Sequence, residues 1–334
     1  MKNILIIGVN GFTGRRILND LSAKPIYNVT GCSLRDDICP GKGYRFVRTD
    51  IRDTDAVQRL FNESQPDIVI NTSALSVPDY CETHHAEAEA TNVTAVETIS
   101  HACEQYGSRF IHLSTDFVFD GKSNQLYKEE DEASPVNYYG VTKLKAEKVV
   151  ADCCSNYAIV RVVVVYGKAL TGQHGNILQL VANRLRKGET IRVVSDQWRT
   201  PTFVGDISEG VEKLMFHSSN GIYHICGNEC LTIAEIAYRV ADFLKLDRSL
   251  IEPVTTEEMQ EATPRPRFSG LSIEKAKTEI GYNPHTLEEW QPACLNSIDT
   301  YIFSPQRRHR GHRVLMFLFD VFAKSDINPP CPLW

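Results

Sequence analysis

Three short groups of residues in this chain have the types and spacing to do chemistry. In the first, Tyr139-Gly140-Val141-Thr142-Lys143 sets a phenol and an ammonium four residues apart. On a helix, positions i and i+4 share one face, so the two groups point the same way. Upstream, Ser114-Thr115-Asp116 closes the run Arg109–Leu113, which reads as a buried strand. These types together suit proton transfer to a carbonyl oxygen that is receiving a hydride. Tyrosine is a poor acid or base at its free pKa of about 10. A neighbouring lysine cation favours the phenolate and brings that value down. Thr115, or Ser114 in its place, can donate a hydrogen bond to the same oxygen and hold it. The expected catalytic set is Thr115, Tyr139 and Lys143.

The second group is Gly8-Val9-Asn10-Gly11-Phe12-Thr13-Gly14, directly after the apolar run Ile4-Leu5-Ile6-Ile7. Glycines three apart at a strand–helix junction have a physical reading. The first permits the tight turn, the second lets the backbone approach a pyrophosphate, and the third lets the helix pack on the strand. The helix N-terminus then aims free N–H groups at the anion. Past the second strand, Arg35 can pair with a 2′-phosphate, which favours NADPH, while Asp36 and Asp37 close behind leave NADH open. Asp50-Ile51 fits an adenine clamp, or equally an ordinary strand end before a helix cap. The third group is the pair Arg199 and Arg265, whose guanidinium forks suit a substrate diphosphate and equally suit surface ion pairs.

The elements that must position these groups alternate. Strands are expected over Asn3–Gly8, Tyr27–Ser33, Arg45–Val47, Asp67–Asn71, Arg109–Leu113 and Ala158–Val165. Helices are expected over Phe12–Ala23, Thr54–Glu63, Glu82–Tyr106 and within Pro135–Cys154. That order predicts an α/β fold: a Rossmann-type doubly wound parallel sheet with right-handed crossovers, and ligands at the carboxyl ends of the strands. The second half predicts helices over Asn176–Lys187, Asp206–Phe216, Ile233–Leu244, Glu274–Ile280 and Leu287–Ile302, with a strand at Thr190–Val194. We divide the chain into a cofactor domain over 1–165 with returning segments, a smaller α+β substrate-binding lobe over 166–302, and a tail over 303–334. The tail carries a basic block at Arg307–Arg313, then an apolar stretch, then prolines.

Composition excludes several classes. The 334 residues are 42% hydrophobic and 23% charged with net charge −6, so no basic field advertises nucleic acid or an anionic membrane. No run of 18 apolar residues appears, so no membrane span is expected. The N-terminus lacks the features of a secretory signal. The ten cysteines form no Cys-x-x-Cys pair and read as reduced thiols of a cytoplasmic protein. His84-His85 and His309-Arg310-Gly311-His312 lack convergent ligands, so no metal is expected.

The motifs resemble the extended short-chain dehydrogenase/reductase family, and within it the dTDP-4-dehydrorhamnose reductases. Ser114-Thr115-Asp116-Phe117-Val118-Phe119-Asp120-Gly121 is similar to that family's Ser-Thr-Asp-Tyr-Val-Phe-x-Gly. Ser134 to Glu147 resembles its Ser-Pro-x-Asn-x-Tyr-Gly-x-Thr-Lys-x-x-Gly-Glu, and Asp196 to Thr202 its Asp-Gln-x-Gly-x-Pro-Thr. The resemblance runs to about residue 302. It implies reduction of the 4-keto group of a nucleotide-activated sugar by NAD(P)H, with Thr115, Tyr139 and Lys143 catalytic. It implies cofactor contacts at Asn10, Gly11, Phe12, Asp50, Ile51, Ser73, Ala74 and Leu75, and a sugar site around Ser114, Asp116, Phe117, Gln197, Arg199 and Arg265. A nucleotide sugar is the expected small-molecule partner, and a homodimer is left open. Leu75, Phe117, Val164 and Arg199 depart from the family pattern around the sugar, so the sugar or its nucleotide can differ. Two alternatives stand beside this reading. One is an epimerase or dehydratase on the same scaffold. The other is a non-catalytic NADP-binding subunit resembling the β subunit of methionine adenosyltransferase.

Overall fold

The computed structural model describes residues 1–170, 173 and 175–289. Seven strands form one sheet: β1 (Lys2–Ile7), β2 (Tyr27–Ser33), β3 (Tyr44–Arg48), β4 (Ile68–Asn71), β5 (Arg109–Thr115), β6 (Tyr157–Val162) and β7 (Gly221–His224). Their order is β7-β6-β5-β4-β1-β2-β3, and all six pairings are parallel. Successive side chains serve opposite faces. Ile4 and Ile6 enter one core cluster while Leu5 and Ile7 enter another. Burial on both faces is why β1 and β4 carry the unbroken apolar runs Ile4–Ile7 and Ile68–Ile70.

Helices cover both faces. On one lie α1 (Phe12–Ser22) and, further along the chain, Val204–Met215, contributing Ile17, Leu18, Leu21, Ile207, Val211 and Leu214. On the other lie α2 (Thr54–Ser64), α3 (Ala95–Tyr106) and α4 (Tyr138–Cys153), through Val57, Phe61, Ile99, Ala146 and Val150. A separate cluster joins α5 (Ile177–Arg186) to helix Ile233–Leu244 around Leu178, Val181, Ile236 and Val240. These two helices pack on the parallel pair Ile191–Val194 and Ile251–Val254. Both start with capping boxes, Asn176 with Gln179 and Thr232 with Glu235.

Three expectations change. The single helix over Glu82–Tyr106 is four pieces: Pro78–Thr83, His85–Glu89, a π turn at Ala90–Thr94, and α3. Strand β6 stops at Val162 rather than Val165. Val164 then takes a positive φ of 36°, and Val165-Tyr166 pairs instead with Thr202-Phe203. The seventh strand, β7, comes from the second half and was not expected there; it is only four residues long and begins at a glycine. The expected helix Leu287–Ile302 beyond Glu289, and the tail over 303–334, lie outside the described residues.

Candidate active site

The strand order reverses between β1 and β4, which opens a crevice at their carboxyl ends. The glycine turn lines it. Gly8 has φ of +89°, and a Cβ on Gly14 would lie 2.4 Å from the Gly8 carbonyl oxygen and 2.5 Å from Thr72 Oγ1. Only glycines let α1 start this close to the sheet. Gly14→Ala is therefore expected to push α1 outward, at about 1–3 kcal/mol of stability. Thermal unfolding and a dinucleotide titration would both register the change. Asn10 does not face the crevice freely. Its amide donates to the carbonyls of Arg35 and Asp36, and its Oδ1 accepts from Arg15. Arg15 in turn pairs with Asp37, whose carboxyl is held low by Tyr44, the Cys39 amide and Arg15 against the opposing effect of burial. This ties the loop after β2 to the glycine turn and commits Asp37 internally, away from a ribose. Asp50 is gripped by Nε and one terminal nitrogen of Arg52, which hold its carboxyl low. Phe12 and Thr13 open α1 half-buried, and Gln173 donates to the carbonyls of Asn10 and Gly11 from the second half of the chain.

Tyr139 and Lys143 lie one turn apart on α4. Asn137 caps that helix, its Oδ1 accepting from the Gly140 amide at 2.9 Å. A Cβ on Gly140 would lie 2.2 Å from the Phe117 carbonyl oxygen, so the glycine lets α4 press against the segment after β5. That contact sets the Tyr139 phenol beside Thr115. The Phe117 ring meets the Tyr139 ring edge-on at 5.9 Å. Burial pushes the phenol above its ordinary range; Thr115 opposes this, while Cys81 and Asp116 add to it. Lys143 is not among the groups that lower it, contrary to expectation. Its Nζ is turned to His112 Nε2 at 3.0 Å and the Leu113 carbonyl at 2.7 Å. Burial brings Lys143 down to about 8, against the opposing pull of Glu147.

A profile of the RmlD substrate binding domain matches residues 1–302. The chain belongs to the RmlD substrate-binding domain family. The probable low-salt glycan biosynthesis reductase Agl14 of Haloferax volcanii is 30% identical over 285 residues, covering 85% of this chain and 94% of that one. The methionine adenosyltransferase 2 subunit beta of Mus musculus is 30% identical over 282 residues, covering 83% and 82%. Among solved structures, the dTDP-4-dehydrorhamnose reductase of Bacillus anthracis in complex with NADP superposes with a TM-score of 0.79 at 26% identity. It covers 89% of this chain and 100% of that one.

On this RmlD-type scaffold several expected sugar-site residues are committed elsewhere. Ser114 follows His112 on the α4 face of β5, and its hydroxyl donates to Glu147 at 2.5 Å. Glu147 also takes two bonds from Arg161, at 2.9 and 2.7 Å, and all three are buried. Thr115, one residue on, faces the crevice, so alternation along the strand decides between the two hydroxyls. Arg199 is only 2% exposed. Its fork donates to the carbonyls of Trp198 and Arg267 and to Gln197, with its Nε 3.7 Å from Asp116. It braces the loop Asp196–Thr202 against Arg267 and Asp116 and, being buried, is not open to a diphosphate. Gln197 is equally spent on Arg199, Thr256 and Glu261. Asp116 is buried, accepts from Thr115 and Ser269, and is pushed up by burial against the pull of Arg199. Arg265 is half-buried and ion-paired with Glu261 at 3.0 Å and Asp79 at 3.5 Å. Phe117 alone of this set lies partly exposed beside the phenol.

Ser73, Ala74 and Leu75 extend from β4 along the crevice. Leu75 is held by a residue that the sequence reading missed. Asn92, in the π turn, accepts from the Leu75 amide at 2.7 Å. It donates to the Leu75 carbonyl and to Thr142 Oγ1, each at 3.0 Å. His112 and Asn71, fully buried beside Lys143, were missed too. A polar residue inside an otherwise apolar strand was the available signal. Among the described residues no cysteines are bridged, no cluster fits a metal, and no helix is long and apolar enough to cross a membrane.

Proposed function

We propose that this protein is an NAD(P)H-dependent reductase of the keto group of a nucleotide-activated sugar, of the dTDP-4-dehydrorhamnose type. One observation carries the reading: the Tyr139 phenol stands beside Thr115, with Lys143 one turn on and a glycine turn at the sheet's switch point. The turn fits a dinucleotide, since glycines at 8 and 14, where a Cβ would strike Ser73, Thr72 or the Gly8 carbonyl, bring the N-terminus of α1 close against the sheet at its switch point. The backbone of Gly8, Asn10, Gly11, Phe12, Thr13 and Gly14 would hold the pyrophosphate. Arg35, Asp50 and Ile51 would meet the adenosine end, with Ser73, Ala74, Leu75 and Lys143 toward the nicotinamide. When bound, the reduced nicotinamide supplies the hydride. Tyr139 donates the proton to the sugar oxygen, and burial keeps it loaded at neutral pH. Thr115 holds that oxygen in place.

The test is a panel of nucleotide 4-keto-sugars offered with NADPH and with NADH, read at the reduced-nicotinamide absorbance. Stoichiometric consumption with one donor supports the reading. Isomerisation without net consumption points to an epimerase. No turnover, with a stoichiometric co-purifying partner, points to a regulatory subunit, the reading favoured by the likeness to the methionine adenosyltransferase subunit. For the preference between cofactors, Arg35→Ser should raise KM for NADPH about tenfold or more and leave KM for NADH nearly unchanged. A charge-assisted bond to phosphate contributes roughly 1.5–3 kcal/mol. Equal changes in both would remove Arg35 from the 2′-phosphate site.

A further inference from the structure

A buried row of side chains leads from the end of β4 to Lys143, and the backbone fixes its hydrogen-bond direction at one end. The Ser73 backbone N–H and hydroxyl both donate to Asn71 Oδ1, at 3.1 and 2.6 Å. The Asn71 amide is thereby oriented, and its NH2 faces His112 Nδ1 at 3.2 Å. An amide NH2 can only donate, so His112 Nδ1 is bare and accepts. His112 is fully buried. Burial, and then the charge of Lys143, holds it well below the ordinary histidine range, so the ring is neutral. A neutral imidazole carries one N–H, and with Nδ1 bare that hydrogen is on Nε2. Nε2 lies 3.0 Å from Lys143 Nζ. An ammonium has three donors and no acceptor, so a charged Lys143 would set N–H against N–H across that distance. A neutral amine has the lone pair the position needs, and still donates to the Leu113 carbonyl at 2.7 Å.

The geometry points to His112, oriented by Asn71 and Ser73, as a positioning residue that offers a hydrogen bond only to the neutral amine of Lys143 and so biases it toward that form. Proton uptake by Lys143 breaks the bond to His112 and frees the ammonium toward Tyr139. This rests on the reductase reading for the role of Lys143. The titratable and charged groups around the amine are few. On α4 they are Tyr139 and Glu147. His112 comes from β5; behind Glu147 stands Arg161 from β6, and beside Tyr139 stand Asp116, from the segment after β5, and Cys81, from helix Pro78–Thr83. Of these, Glu147 favours the ammonium, but Arg161 and Ser114 already hold its carboxylate. Cys81 is pushed up to about 12, chiefly by burial, and stays a neutral thiol.

The test reverses the row. Asn71→Asp keeps the acceptor for Ser73 and turns a carboxylate oxygen to His112 Nδ1. The ring hydrogen then moves to Nδ1, and Nε2 becomes an acceptor for an ammonium. In the free full-length protein, 15N-histidine NMR should report Nε2–H for His112 in the wild type and Nδ1–H in Asn71→Asp, with His112→Gln assigning the signal. Titration of the Lys143 side-chain signal should shift upward by at least about one pH unit in Asn71→Asp. The alkaline limb of kcat should move the same way. A wild-type Nδ1–H tautomer, or an inverted tautomer with an unmoved Lys143 titration, overturns the proposal. If no keto-sugar is turned over, the reductase reading fails, while the two NMR measurements still decide this one.

Discussion

Tyr139→Phe is expected to lower kcat at least about a hundredfold while leaving dinucleotide binding and folding near wild type. The phenol stands beside Thr115 at the crevice, and burial raises it above its ordinary range, so it stays protonated through neutral pH. Phenylalanine keeps the ring and its edge contact with Phe117, so the variant removes a proton donor and little packing. Neither Asp116, tied to Ser269 and Thr115, nor Cys81, bonded to the Leu75 carbonyl, is placed to substitute. The loss should therefore fall on kcat, with KM for the dinucleotide little changed. Steady-state kinetics with the substrate identified by the panel would check it. Retained turnover would exclude Tyr139 as the proton donor and with it the proposed chemistry.

The largest expected effect on stability comes one turn further along the same face of α4. Arg161 and Glu147 form a two-point ion pair with both side chains almost wholly buried. The Arg161 guanidinium also stacks over Phe119 at 5.0 Å. Removing one partner leaves an uncompensated buried charge, which typically costs about 3–5 kcal/mol. Arg161→Met should therefore destabilise strongly, since Ser114 alone remains to satisfy the Glu147 carboxylate. The double variant Arg161→Met with Glu147→Leu removes both charges and should recover most of that loss. Urea unfolding of the three proteins decides the matter. A double variant no more stable than the single would show that packing, and not the stranded charge, sets the cost.

The sequence was most legible where one physical demand dominates. Strands buried on both faces announce themselves as apolar runs, as Ile4–Ile7 in β1 and Ile68–Ile70 in β4 do, and β2 and helix Ile233–Leu244 also fall where expected to the residue. The glycine turn and the Tyr139–Lys143 spacing were legible because few other residue types meet those demands. What stayed hidden depends on long-range neighbours. Arg199 has the right chemistry for a phosphate, but carbonyls from Trp198 and Arg267 and the amide of Gln197 consume its donors. Ser114 and Thr115 are adjacent hydroxyls, and only the pleat sends one to Glu147 and the other to Tyr139. His112 reads as an impurity in an apolar strand until Asn71 and Lys143 are seen on either side of it. Strand β7 is too short to show a period.

The π turn at Ala90–Thr94 acts as a length gauge. Such a turn holds one residue more than a turn of α-helix, so the helices on its two sides are out of phase by about a hundred degrees. The extra residue leaves Asn92 on the line where its amide reaches both backbone groups of Leu75 and the Thr142 hydroxyl. The crevice edge and α4 are thus measured off against each other by a count of residues. Exchanging exposed residues along that helix would leave the count intact, but a single insertion or deletion there would be transmitted straight to the lip of the crevice.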